Sequence, residues 1–431
     1  MQIKDSLKNS FLNVLENIEP SKLIENKCEF SENTIIINNE EIKLPKDKNI
    51  HLFGSGKAVL SMAKTIYSKL EGKIEKSVLV GAYENEQEFK NLRYIQSSHP
   101  IPTQKSVHAA ETLKENLEAL NEDDFFIYLL SGGNSALVEL PVETISLEDF
   151  QETTDLMLKG SMPIEAMNCI RKHLSQVKGG RLSSNCKAKG IVLVLSDVIS
   201  NNIEAIGSAP LYFDSTSFED AINYLKEYKL FEEIPLKVKE YLLEGLEQKI
   251  ADTPKEENKN ISHYLVGSNE LLLEDIKKEL EKNSIEASIL DKKIEENVDD
   301  VITYLLEFIK DKEEGCFIFG GEALVKVTKE NAKGGRNQHL VLSFLDNYPK
   351  DKNITFLSAA SDGIDGNSLS AGAIIDKNCL KNSKDLNLDI KKYLEDFNSN
   401  IFLEKIGSLI NSGPSHNNML DVLIVHIEKK D

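Results

Sequence analysis

The chain of 431 residues carries 51 Lys plus Arg against 71 Asp plus Glu, a formal charge of −20, with 40% hydrophobic and 28% charged residues. Such a length exceeds one core and predicts two or three domains, and such a charge repels nucleic acid and anionic membrane overall, so any basic site must be local. Apolar runs are strand-sized, far short of the ~20 residues a membrane helix needs; five scattered cysteines with no Cys-x-x-Cys pair indicate neither a structural zinc site nor a disulfide framework and fit a reducing cytoplasm.

Met1 to Ile18 lacks the basic and apolar regions of a signal peptide and reads as an amphipathic helix, with Phe11, Leu12, Val14 and Leu15 near one face. Thr34 to Ile37 and Glu41 to Leu44 flank Asn38-Asn39-Glu40 as a surface hairpin. Asn49 to Phe53 is a strand that runs into Gly54-Ser55-Gly56-Lys57 and a helix from Ala58 to Leu70. A lysine at a helix start opposes the helix dipole unless an anion sits between them; the alternative is that Lys57 points to solvent. The loop lacks the glycine spacing of a Walker A sequence. Ser77 to Ala82 is a strand, Ser98-His99-Pro100-Ile101-Pro102 a turn, and Gln104 to Leu120 a helix. His99 either holds a ligand or braces the proline turn.

Phe125 to Leu130 reads as a buried apolar strand, with a buried helix the alternative that periodicity leaves open, and it stops abruptly at Ser131, Gly132, Gly133, Asn134 and Ser135. Bare amides on such a loop favour an anion such as phosphate, or the segment is an ordinary tight turn. Leu147 to Leu158 is a helix capped by Ser146 and Asp149, and Ile164 to Leu174 a helix carrying Asn168, Arg171 and His173. Lys178-Gly179-Gly180-Arg181 follows as a local basic cluster with flexible backbone, where Arg171 and Arg181 suit carboxylate or phosphate, or the segment is a solvated helix end. Gly190 to Leu195 is a strand ending at Ser196-Asp197, a place for a metal-binding or proton-accepting carboxylate, or for a simple cap. Asn201 to Ala209 reads as a loop, and Phe218 to Leu225 and Leu236 to Ile250 as helices.

Ala251 to Asn260 is polar and without apolar period, which places the division between residues 1–255 and residues 256–431. Beyond it, His263 to Gly267, Ala287 to Leu290, Cys316 to Phe319, Leu324 to Thr328, Ile354 to Ala360 and Val422 to Ile427 read as strands. Helices run to Lys282, from Val298 to Lys310 and from His339 to Phe344. Gly320-Gly321-Glu322 ends one strand. Lys333-Gly334-Gly335-Arg336-Asn337-Gln338 opens a helix, where side chain and backbone together suit an anion. In Ser361-Asp362-Gly363-Ile364-Asp365-Gly366 two carboxylates suit Mg²⁺ or hydroxyls, or form a turn. Alternating strands and helices predict an α/β fold with mainly parallel sheets in two domains and a cleft facing loops from both. Cations, serine–glycine loops and carboxylates without a Cys/His metal cluster fit phosphoryl transfer.

These motifs, in this order, resemble the class II glycerate 2-kinase (MOFRL) family: Gly-Ser-Gly-Lys-Ala from Gly54, His-Pro-Ile-Pro from His99, Ser-Gly-Gly-Asn-Ser-Ala-Leu from Ser131, the Arg171 to Leu182 segment, and the later Ser-Asp, Gly-Gly-Glu, Lys-Gly-Gly-Arg-Asn-Gln and Ser-Asp-Gly-Ile-Asp-Gly segments. The resemblance implies a Rossmann-like N-terminal domain and a smaller α/β C-terminal domain. It implies ATP-dependent phosphorylation of the 2-hydroxyl of D-glycerate with Mg²⁺. Carried over, Lys57 and Arg336 would neutralise the transferring phosphoryl group, and Asp197 would activate the hydroxyl or hold metal. Binding of substrate and nucleotide would fall to Gly54, Ser55, Gly56, His99, Ser131, Gly132, Gly133, Asn134, Ser135, Asn168, Arg171, Gly180, Arg181, Glu322, Asn337, Gln338, Asp362 and Asp365. The chain departs from the family at Asn134 (usually glycine), after Asp197 (Val-Ile-Ser-Asn-Asn), at Ala209 (glycine) and in Gly-Pro-Ser-His416-Asn-Asn. An NAD(P)-dependent hydroxypyruvate reductase is the rival enzyme, against which stands the missing third glycine at Val59. A non-catalytic sugar-acid or nucleotide-binding protein is the rival binder. No nucleic acid or membrane partner is expected, and a homo-oligomer is allowed.

Overall fold

A computed structural model describes residues 2–46, 50–85, 87–415 and 417–429; Asn49, read as opening a strand, and His416 lie outside the described residues. The chain forms two compact units, a first of Ile24–Leu195 with Ser200–Val266 and a second of Met1–Leu23, Ser196–Ile199 and Gly267–Asp431. A single cut after residue 255 does not describe these units. Helix α1 (Ile3–Leu15) buries Leu7, Phe11, Val14 and Leu15, and Lys4 reaches Cys379 at 3.2 Å, so the amphipathic start belongs to the second unit. Leu12 on α1 is only half-buried.

After α2 (Pro20–Lys27), three short strands, β1 (Cys28–Phe30), β2 (Thr34–Ile37) and β3 (Glu40–Lys43), form an antiparallel sheet. Asn38 and Asn39 sit at φ 53° and 65°, the left-handed pair a two-residue hairpin turn requires.

The main sheet of the first unit starts with β4 (Ile50–Ser55), α3 (Val59–Leu70), β5 (Ile74–Gly81) and β6 (Leu92–Gln96). It continues through α4 (Gln104–Glu118), β7 (Phe125–Leu130), α5 (Asn134–Leu137), α6 (Leu147–Lys159), α7 (Ile164–His173), β8 (Lys189–Leu195), α8 (Phe218–Glu227), α9 (Leu236–Leu246) and β9 (Ile261–Gly267). The spatial order is β6-β5-β4-β7-β8-β9, and each pair whose register is defined runs parallel. Every residue of β4 and β7 is buried, which is why both read as unbroken apolar runs. The order reverses direction between β4 and β7, a topological switch point, and in such sheets ligands bind outside the strand ends there. Helices α6 to α9 enclose a separate apolar cluster around Phe150, Ile170, Phe218 and Leu242. Ser146 with Asp149 and Ser217 with Asp220 form the capping boxes of α6 and α8. Beneath α7, Lys172 pairs with Asp214 at 2.9 Å and His173 with Asp252 at 2.9 Å.

The second unit runs α10 (Asn269–Lys282), β10 (Ala287–Ile294), α11 (Val298–Lys310), β11 (Gly315–Gly321), α12 (Arg336–Asp346), β12 (Asn353–Ala360) and β13 (Gly372–Ile375). It ends with α13 (Lys377–Asp385), α14 (Ile390–Glu395), α15 (Ser399–Lys405), β14 (Leu409–Ile410) and β15 (Asp421–Glu428). Its sheet order is β10-β11-β15-β12-β13-β14, and only β10 and β11 pair in parallel. Parallel sheets in both units were expected; here the helical crossovers keep β10, β11 and β12 in one direction, but the last strand inserts antiparallel between β11 and β12. Leu324 to Thr328 forms no strand; Leu324 makes one isolated bridge with Asn297. No helix among the described residues is long and apolar enough to cross a membrane.

Candidate active site

At the switch point the loops after β4 and β7 are sewn together. Lys57 N–H donates to the Gly132 carbonyl at 2.9 Å, Ala58 N–H to Ser131 Oγ at 3.1 Å, and Ser131 N–H to the Ser55 carbonyl at 3.1 Å. Gly56, at φ +133°, is what allows this approach: a Cβ there would lie 2.1 Å from Ser131 Oγ. The amides of Gly132 and Gly133 have no intrachain acceptor among the described residues. A Cβ on Gly133 would meet His99 Cδ2 at 3.1 Å and two carbons of Lys57 at 3.2 Å, so Lys57, His99 and this loop share one spot. Both side chains are exposed. Partial burial, and then the charge of Lys57, hold the His99 imidazolium below its usual range.

Behind the loop the side chains turn inward. Ser55 donates to Asn134 Oδ1 at 2.5 Å and shares a 2.5 Å hydrogen bond with the Tyr128 hydroxyl; Asn134 Nδ2 donates to the Gly207 carbonyl at 2.7 Å. Ser135 and Ser208 share a 2.7 Å bond, and Ser208 donates to Asn168 Oδ1 at 3.3 Å. Two departures from the family therefore fall on one structure. Asn134 grips a loop in which Gly207, Ser208 and Ala209 take φ of 58°, 61° and 52° in succession.

The basic segment after α7 is not a solvated patch. Lys178 is fully buried, 3.0 Å from the equally buried Glu139, and donates to the carbonyls of Ser135 and Val138 at 2.8 and 3.1 Å. Burial pushes the Glu139 carboxyl up and the Lys178 ammonium down, and each partner's charge opposes the shift. Arg181, beside Gly180, donates to the carbonyls of His173 and Ser175 at 3.2 and 2.8 Å, closing the turn rather than facing outward. Arg171 is half-buried; burial lowers its guanidinium, and Glu139 opposes that.

In the second unit, Arg336 opens α12 and is held by a fork on Asp421, Nε to Oδ2 at 2.5 Å and Nη2 to Oδ1 at 2.9 Å, with Nη2 also 2.6 Å from Glu322. Burial would lower the guanidinium, but Asp421 outweighs it and holds it above its usual range. Asp421 carries no local sequence signal beyond a carboxylate opening an apolar strand. The helix start, expected to receive an outside anion, already holds one: Asp365 accepts from the amides of Asn337 and Gln338 at 3.1 and 2.8 Å. The side chains of Asn337 and Gln338 are buried, tied to Ser358, Asp365, Ser368 and Asn400. Burial pushes Asp365 up to about 6; burial and then the charge of Asp421 raise both Glu322 and Asp362. Asp197 lies in the short segment Ser196–Ile199 of this same unit, while Lys57 belongs to the other.

Residues 6–243 match a family described as a domain of unknown function (DUF4147), and residues 315–421 match the MOFRL family. A glycerate 2-kinase of Pyrococcus horikoshii is 34% identical over 420 residues, covering 96% of this chain and 94% of that protein. A D-glycerate 2-kinase of Thermotoga maritima is 34% identical over 392 residues, covering 89% and 91%. The crystal structure of a glycerate kinase from Thermotoga maritima superposes with a TM-score of 0.85 at 31% identity, covering 99% of each chain. With the paired glycine loops of one unit and the arginine-bearing helix of the other falling inside these matches, the chain belongs to the type-2 glycerate kinase (MOFRL) family.

Proposed function

We propose that this chain transfers the γ-phosphoryl group of ATP to the 2-hydroxyl of D-glycerate, giving 2-phosphoglycerate and ADP. The observation that carries the reading is at the switch point, where an exposed lysine stands beside two amides with no intrachain acceptor. That is the equipment for a polyphosphate. The Gly132–Gly133 loop cradles phosphate, and Lys57 neutralises charge on the transferring group. Arg336 neutralises phosphate charge, exchanging its contact with Glu322 for a phosphate oxygen while the fork on Asp421 keeps it oriented. Asp197 takes the proton of the attacking hydroxyl. Arg171, rather than the internally engaged Arg181, receives the glycerate carboxylate. Asn337, Gln338 and Asp365 hold the start of α12 and act by placing Arg336.

Mg²⁺ suits the second unit. Four carboxylates, Glu322, Asp362, Asp365 and Asp421, interact with the single Arg336, and burial with mutual repulsion raises two of the more accessible ones. A cation there would be held by one or two carboxylates plus phosphate oxygens. Glu322 and Asp362 would hold it, and it would supply charge neutralisation on the phosphates. The five cysteines are all free and buried, which supports a reducing cytoplasm as the setting.

The test is ADP release by the purified chain across a panel of 2-hydroxy acids, with NADH oxidation run in parallel without ATP. ADP release strictly dependent on D-glycerate, with no NADH consumption, is the expected result. Turnover of hydroxypyruvate with NADH alone would establish the reductase instead.

A further inference from the structure

Arg336 is oriented by Asp421, so whatever fixes Asp421 fixes the guanidinium. Asp421 is the first residue of β15, in register with Gly321 on one side and Ala360 on the other. The residue before it, Leu420, sits at φ +64°, a conformation a branched apolar side chain adopts only when its surroundings impose it. The carbonyls on both sides of that bend, of Met419 and of Asp421, accept from one donor, Asn269 Nδ2, at 2.7 and 3.1 Å. Asn269 opens α10 and is 1% exposed.

Its orientation is forced. Oδ1 has no hydrogen-bond partner, and it fills the space over Gly320: a Cβ there would come within 1.8 Å of it. Turning the amide over would set Oδ1 against two carbonyl oxygens, so the amide accepts one unsatisfied acceptor in order to bridge the bend. This also explains Gly320, which makes room for a side chain from another element rather than for a ligand.

We propose that Asn269 is a positioning residue for phosphoryl transfer, setting Arg336 through the bend at Leu420 and the carboxylate of Asp421. The proposal rests on the role given to Arg336 above. Asn269 touches no substrate; it fixes where the fork of Asp421 presents the guanidinium.

Two readouts on the full chain test it. The first is solvent exchange of the Arg336 Nε–H, followed by ¹⁵N NMR and assigned by its loss in R336K; this needs no activity. The second is steady-state phosphorylation of D-glycerate. N269A should speed the Arg336 Nε–H exchange and lower kcat by roughly 10²-fold, the scale of a 1 Å misplacement, with little change in KM for D-glycerate. G320A, which must displace Asn269 Oδ1, should reproduce both effects. In an R336A background N269A should change kcat by no more than about twofold, since the two act through one group. Should N269A fail to fold, N269S, with a donor too short to bridge both carbonyls, replaces it. Unchanged Nε–H exchange in the Asn269 variant, or an equal loss of kcat with and without Arg336, overturns the proposal. A wild-type chain without ATP-dependent turnover would overturn the kinase reading, and the exchange measurement would still judge the placement of Arg336.

Discussion

Ala209 shows how a single residue departs from its family and what compensates it. It occupies a left-handed position, φ 52°, at the end of three such residues, where glycine would be unstrained. The backbone is held there regardless, because Gly179 and Gly180 donate to the carbonyls of Ser208 and Ala209 at 3.0 and 2.8 Å, and Asn134 holds Gly207. The strain is therefore local, and A209G is expected to stabilise the protein by about 0.5–1 kcal/mol, the penalty of a left-handed alanine less the extra unfolded-state freedom of glycine. Urea denaturation measures this; a lower midpoint in A209G would contradict it. At this scale the grouping of polar loops in the first unit was legible. Lys57, His99 and Gly133 do stand together, because each lies on a short polar stretch between well-marked elements. What was illegible is which cations are free. Lys178 and Arg181 look like surface charge in sequence, and only the buried Glu139 and the carbonyls of Ser135, Val138, His173 and Ser175 turn them inward.

Elements buried on both faces announced themselves. Strands β4, β7 and β8 are continuous apolar runs, so their positions were readable. The edge strand β6, with no residue fully buried, and the short β13 and β14 gave no such signal. The segment Leu324 to Thr328 gave a false one, since alternation without a partner strand makes no ladder. The place of β15 in mid-sheet was also hidden, because strand order is a long-range property that periodicity does not encode.

Two tests belong to this scale. G56A should destabilise the first unit by about 2–5 kcal/mol, because the new methyl meets Ser131 Oγ at 2.1 Å and the backbone sits at φ +133°; a melting temperature equal to wild type would refute the joining of the two loops. The second concerns acid. Burial would raise Asp214, but Lys172 outweighs it and the carboxyl is held below its usual range; Asp252 is likewise lowered, against burial, by its hydrogen bond to His173. A depressed folded-state pKa means stability that is present above the unfolded value near 3.8 and lost as pH falls below it. Denaturation between roughly pH 5 and pH 2, the window of carboxylate titration, should show that loss. D214N, which strands Lys172 in the interior, should cost about 3–5 kcal/mol at neutral pH and flatten the acid limb. An acid limb as steep as wild type would assign the transition to other groups.

At the scale of the whole molecule, a chain of net charge −20 binds a polyanion only if its cations are concentrated where the phosphates go. Lys57 and the Gly132–Gly133 amides, joined at the switch point of the first unit, are the groups proposed to do this, and that role is the central claim. The direct measurement is the single-turnover rate of phosphoryl transfer in K57M at saturating ATP and D-glycerate. Removing a charge that stabilises the transferring group should lower that rate by roughly 10²-fold or more. A K57M chain that transfers phosphate at the wild-type rate would contradict the claim.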